Sequence, residues 1–291
     1  MNRSEQGNRA STVLGRRLGG QLLLLRDAAG KTQQEAAQVL SATATKIVKM
    51  ERGWVPVRDP DIRALCAFYG QDGHEVVNTL LSLARLDRER RKAKGWWNQY
   101  PVLRSQAEYF ALEDIATSMR TWQLTTVPGL LQTPDYARAL VVGNGAWRNL
   151  AEIEAFVEAR MARQARLGGD APLHVWAVVQ ENVLRQLVGG RVVMRGQLEH
   201  LLDMARLPHV EIQVLPYSAG AHPGMTSAFS VVSFAEAGAL DVVRADTVST
   251  SLWLESETDA AQHLAIFDRI THMGLAQSNS TRLIESILKE T

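Results

Sequence analysis

The sequence predicts an all-α N-terminal domain of five helices containing a helix-turn-helix, followed by an α+β C-terminal domain. Three observations carry this. Apolar residues recur at helical spacing through the first 94 residues, with polar caps ahead of the helices and glycines behind them. Runs rich in β-branched residues occur only past residue 170. Charge divides in the same sense: residues 1–94 hold 17 Lys and Arg against 10 Asp and Glu, a net of +7, and residues 95–291 hold 15 against 21, a net of −6. A basic first third ahead of an acidic remainder suits a polyanion-binding module joined to a domain of different purpose.

Residues 1–12 are polar and aperiodic and are expected to form a disordered arm. The first helix follows from the stripe Leu14, Leu18, Leu22, Leu25 and Ala29, with Gly30 at its C-terminal cap. Thr32 with Glu35 three residues on makes a capping box for a second helix ending near Leu40. Ser41 and Ala42 form the turn, Thr43 caps a third helix reaching about Arg52, and Gly53 stops it. Asp59 is the expected cap of a fourth helix ending at Tyr69, and a fifth runs from about His74 to residue 94. The cations of residues 88–94 read as a solvated helix end favoured by the helix dipole, ahead of a reach to flanking phosphates.

Composition shifts at Gly95-Trp96-Trp97, which sets the second domain at 95–291 and the helix-turn-helix domain at 13–94. Strands are expected at 173–179, 210–215, 228–234, 240–245 and 248–254. Helices are expected at 134–142, 150–167, 192–206, 258–275 and 281–289. The chain is 46% hydrophobic and 22% charged, as globular chains are. No apolar run approaches the ~20 residues of a membrane span, and the run from Leu22 to Leu25 is too short for a signal peptide. A cytoplasmic protein without membrane contact is expected. The single Cys66 excludes an internal disulfide and reads as a small buried residue.

A helix-turn-helix needs small or apolar residues where its two helices meet, and Ala36, Ala37, Leu40, Ile47 and Met50 fill those positions. The opposite face of the third helix offers Ala44, Thr45, Lys46, Val48 and Lys49, with no acidic group. The series Thr32-Gln33-Gln34-Glu35-Ala36-Ala37-Gln38-Val39-Leu40, Thr43-Ala44-Thr45-Lys46-Ile47 and Glu51-Arg52-Gly53 resembles the Xre/phage-repressor class without insertion or deletion. Ser41 departs from the glycine usual at that turn and implies mild strain. The resemblance implies double-stranded DNA as partner, read as a homodimer on two-fold-related half-sites. It makes Ala44, Thr45 and Lys49 base-reading residues. Gln33, Thr43, Lys46 and Arg52 fall at phosphate contacts, and Arg26 with Glu51 at a structural salt bridge.

The later stretches Trp96-Trp97, Ala111-Leu112-Glu113, the run from Val127 to Arg138 and the run from Gln213 to Gly224 resemble the C-terminal domain of actinobacterial Xre-type regulators, the WhiJ-like and Scr-type antitoxin-like group. That resemblance implies a regulatory or partner-binding domain of unknown biochemistry and, as an alternative function, neutralisation of a small protein encoded by a neighbouring gene. A metabolite-sensing or enzymatic C-terminal domain is a second alternative. Trp122, Gln132, Tyr136 and His222 are the candidates for an effector or partner site. The second matches a turn and helix start capped by Thr133, the last a flexible loop after a strand. Six of the tryptophans, Trp147 among them, fall in this domain and are expected mostly in its core. No Gly-x-Ser-x-Gly, His-Glu-x-x-His or Walker motif is present, and histidine spacing suggests no metal site. A non-enzyme without cofactor is expected.

Overall fold

A computed structural model describes residues 12–71, 73–92, 95–101, 106–145, 149–235, 241–247, 251–254 and 256–291. The chain divides into two compact units, residues 1–94 and 95–291.

The first unit is helical: α1 Val13–Ala28, α2 Gln33–Val39, α3 Ala44–Glu51, α4 Asp59–Phe68 and α5 His74–Lys92. Its boundaries are set by local chemistry. Thr12, Thr32 and Thr43 each accept an N–H from the first turn of the helix they precede, and Thr32 and Glu35 complete a reciprocal capping box. One expected cap differs. Asp59 lies inside the first turn of α4, behind Arg58, and Pro60 follows it there, where a missing N–H costs nothing. The apolar stripes close over one core holding Leu14, Leu18, Leu22, Ala36, Ala37, Ile47, Met50, Ile62, Leu65, Leu80 and Leu83, with Cys66 buried among them. Gly19 marks the closest approach of α1 to α3, since a Cβ there would stand 2.4 Å from the Met50 and Glu51 carbonyls.

The end of α5 differs from its expected role. Arg88 donates to the Val57 carbonyl and pairs with Asp59, and Arg91 pairs with the buried Asp87 and donates to the Gly53 carbonyl. These two arginines tie α5 to the loops after α3 and before α4. Their N–H groups are taken up by the buried Val57 and Gly53 carbonyls, the buried Asp87 and the exposed Asp59. The rest of the 88–94 run, apart from the backbone of residues 89–92 and the exposed Glu89, lies outside the described residues, as does the arm before residue 12.

The second unit is a mixed sheet with helices on both faces. Its strands are β1 Ser118–Gln123, β2 His174–Gln180, β3 Val210–Leu215, β4 Phe229–Ser233, β5 Val242–Asp246 and β6 Ser251–Leu254, in the order β3-β2-β1-β4-β5-β6. β1 pairs parallel with β2 and antiparallel with β4, so the sheet changes sense along it. β2 reads as a continuous apolar run because both its faces are covered. Val175, Ala177 and Val179 face the larger core, and Trp176 and Val178 the smaller one. On the larger side lie α7 Pro134–Asn144, α8 Leu150–Arg163, α10 Arg191–Met204 and α12 Gln277–Glu290, through Tyr136, Phe156, Leu198 and Ile284 among others. On the other side α11 Glu257–Met273 covers the sheet with Ala260, Phe267 and Ile270.

Five strands fall at expected places, with Leu240 and residues 248–250 outside the described residues. Three elements were not expected: β1, α6 Ala107–Ile115 and the short α9 Glu181–Arg185. β1 lacks an apolar run because Arg120, Thr121 and Gln123 interrupt it. Trp97, Trp122, Trp176 and Trp253 pack in or against the cores, as does Trp96; Trp147 lies outside the described residues.

Candidate nucleic-acid interface

The interface is built on the first turn of α3. Thr43 at its cap, with Ala44 and Thr45, is exposed, while Ile47 and Met50 on the opposite side are fully buried. The helix is thus pinned by one face and presents its N-terminal turn outward. Lys46 and Lys49 are half-buried along its flank, and Arg52 is exposed with its guanidinium 5.0 Å from the Trp54 ring centroid.

Three buried or partly buried polar groups fix how α2 and α3 sit on α1. Arg26 Nε donates to Glu51 Oε1 at 2.6 Å and Arg26 Nη2 to Glu51 Oε2 at 3.3 Å. Gln33 Nε2 donates to Glu51 Oε2 at 2.7 Å. One carboxylate at the end of α3 therefore holds α1 and the start of α2 together. Its hydrogen bond raises the Arg26 pKa further. Gln33 is committed to Glu51 through its amide nitrogen in the unbound protein.

Lys46 differs from the other cations of this face. Its Nζ lies 3.4 Å from the buried Asp61 carboxylate, which also takes Arg58 at 2.9 Å. Burial works against the Asp61 charge, yet the Arg58 hydrogen bond and the Lys46 charge hold its carboxyl below its usual range. Asp61 is a member of this surface that the sequence reading missed. Its signal was an acidic residue on the buried side of a helix start.

The turn between α2 and α3 carries the one positive φ at a non-glycine among the described residues, Ser41 at +48°. This is the left-handed conformation that the substituted glycine would have taken freely.

In the second unit the four candidate residues do not form one site. Trp122 and His222 lie on the α11 side of the sheet; Gln132 and Tyr136 lie on the other. Trp122 is fully buried and donates Nε1–H to the Gly224 carbonyl at 2.8 Å. His222 stands edge-on to Trp122 with ring centroids 5.3 Å apart, and neither ring nitrogen has a hydrogen-bond partner among the described residues. The 218–224 loop is packed at His222 and at Gly224, where a Cβ would meet Trp122 Nε1 at 2.5 Å, and is exposed at Ser218, Gly220 and Ala221. Tyr136 is fully buried, its Oη accepting the Val127 N–H. Gln132 borders an opening.

That opening is a polar cavity of 220 Å³ between β1, β2, β4, β5, α6, the 126–132 turn and α8. Arg160, Arg163 and Arg244 line it beside Gln132, Gln123 and Thr121. The arginines escaped the sequence reading, although Arg160 and Arg163 stand among the apolar positions Phe156, Val157 and Ala159 of α8. Among the described residues no group of three or more His, Cys, Asp or Glu is placed to hold a metal ion, and no helix is long and apolar enough to cross a membrane.

Comparison with known families gives two matches. A helix-turn-helix domain model matches residues 17–79, and the model of a domain of unknown function, DUF5753, matches residues 106–286. The first supports a DNA-binding regulator. No curated protein and no solved structure matches the chain.

Proposed function

Because the chain belongs to the DUF5753 family and carries a helix-turn-helix domain ahead of that region, we propose that it is a sequence-specific transcriptional regulator of the Xre class, close to the WhiJ-like and Scr-type group. It docks the first turn of α3 in the major groove of double-stranded DNA. The observation that carries this reading is the exposed Thr43-Ala44-Thr45 turn on a helix whose other face is buried and locked by Arg26, Glu51 and Gln33.

In this reading Thr45 offers a hydroxyl and a methyl to base edges, Lys49 favours guanine O6 and N7, and Ala44 supplies only a methyl contact. Thr43, Gln33, Lys46 and Arg52 hold phosphates. Two of these are engaged in the unbound state: Gln33 with Glu51 and Lys46 with Asp61. With few hydrogen-bonding arms, the reader leans on backbone contacts and DNA shape. The protein binds as a homodimer, and its second unit answers a protein or small-molecule signal and performs no catalysis.

The test is selection of bound duplexes from a random pool with the full chain, followed by titration of the preferred site. Thr45→Ala and Lys49→Ala are expected to weaken that site by about 1–3 kcal/mol each and to relax preference at distinct positions. Unchanged preference in both variants would contradict the docking.

A further inference from the structure

We propose that the cavity of the second unit binds a small organic or inorganic oxyanion, carboxylate or phosphoryl, on Arg160. The arginines that line the cavity are unevenly matched by carboxylates. Arg163 is matched by Glu113, with Nε to Oε1 at 2.8 Å and Nη2 to Oε2 at 2.6 Å. Arg244 is matched by Asp246 at 2.7 Å and lies over the Tyr109 ring, 4.2 Å from its centroid. Arg160 has no carboxylate among the described residues. Its Nη1 donates to the neutral Gln132 Oε1 at 2.7 Å, and the group stacks over Phe156 at 4.7 Å. Burial, and then the like charge of Arg163, push its pKa down. A cation kept in such surroundings without a counter-ion is costly, and an anion in the cavity would supply that counter-ion by charge-assisted hydrogen bonds.

The surrounding chain is shaped to keep the guanidinium groups reachable. A Cβ at Gly129 would stand 3.0 Å from Arg163 Nη1 and 3.3 Å from Arg160 Nη1, so the absence of a side chain leaves them room. Gln132 in turn is anchored through Nε2 to the Val127 carbonyl, and its own carbonyl accepts from Gln164. The 127–136 turn thus forms one wall, and Thr121 and Ser230, 2.9 Å apart on β1 and β4, sit across from it. The 220 Å³ volume is below the roughly 300–1,000 Å³ of drug-sized pockets. It suits a ligand of a few heavy atoms around one anionic group, and it excludes a nucleotide. This assigns a ligand class to the signal-responding reading of the second unit and rests on that reading for its regulatory consequence, though not for binding itself.

The experiment uses the full chain at fixed ionic strength, titrated with inorganic phosphate in one arm and succinate in the other, read by thermal shift and calorimetry. Saturable binding of at least one anion is expected. Arg160→Met is expected to raise its Kd by about tenfold or more, and Arg160→Lys to weaken it less. Without anion, Arg160→Met is expected to melt at or above the unsubstituted protein, because it removes an uncompensated cation. Which arm saturates tells a phosphoryl from a carboxylate site. No saturable response to either anion, an unchanged Kd in Arg160→Met, or a melting point well below that of the unsubstituted protein would each overturn the site. Operator affinity measured with the saturating anion separates the two readings: a shift supports both, and binding without any shift keeps the site and overturns the signalling role.

Discussion

Ser41 holds a left-handed backbone conformation at φ +48° in the turn that sets α2 against α3. For a residue with a Cβ this costs about 1 kcal/mol, so Ser41→Gly is expected to stabilise the first unit by about that much in urea unfolding. The Arg26–Glu51 pair has the opposite sign. Both side chains are buried and bidentate, and removing one partner leaves a charge in the core. Arg26→Met is expected to cost about 3–5 kcal/mol, read by the same unfolding curves. His222 supplies a pH dependence. Burial depresses its pKa below the unfolded value of 6.5, so the unfolded chain takes up the proton first. The stability tied to neutral His222 is therefore intact above pH 6.5 and lost as pH falls through the lower folded value. His222→Phe is expected to flatten the acid limb of the melting-temperature profile, leaving the part due to His200, whose burial shifts it in the same direction. At this scale the sequence reading was strongest where partners are near in the chain, as in the capping box. Arg160, Arg163 and Glu113 were illegible because α8 meets α6 across 50 residues.

At the scale of elements, the caps and apolar stripes of α1 to α3 specify their own ends, and they were legible because each signal lies within four residues. β1 was not. It is the strand on which the sheet changes from parallel to antiparallel, yet only Met119 and Trp122 are large apolar residues in it. Its burial is imposed by β2 on one side and β4 on the other, which no local pattern reports. The flank of α3 gives a graded prediction. A free lysine on a phosphate contributes about 0.9 to the slope of log affinity against log salt. Lys46 shares Asp61 in the unbound protein, so Lys46→Ala is expected to reduce the slope by less than Arg52→Ala does. Asp61→Asn is expected to strengthen non-specific DNA binding. Equal slopes for Lys46→Ala and Arg52→Ala would remove the pairing from the account.

At the scale of the whole molecule, two units with separate cores carry separate chemistry. The first, with its excess of cations, presents one helix turn. The second, with its excess of acids, nevertheless encloses a cationic cavity. The charge division was visible in the sequence. The cavity was not, because it is assembled from α6, α8, the 126–132 turn and four strands that meet only in the fold. The proposed function turns on α3 as the reading element. The most direct measurement is the operator preference of the full chain set beside that of Thr45→Ala, with folding of both verified by circular dichroism. Thr45 is exposed, so its truncation should leave the unit intact. The account predicts loss of preference at one symmetric pair of base positions with non-specific affinity retained. An identical consensus bound with identical affinity would contradict it.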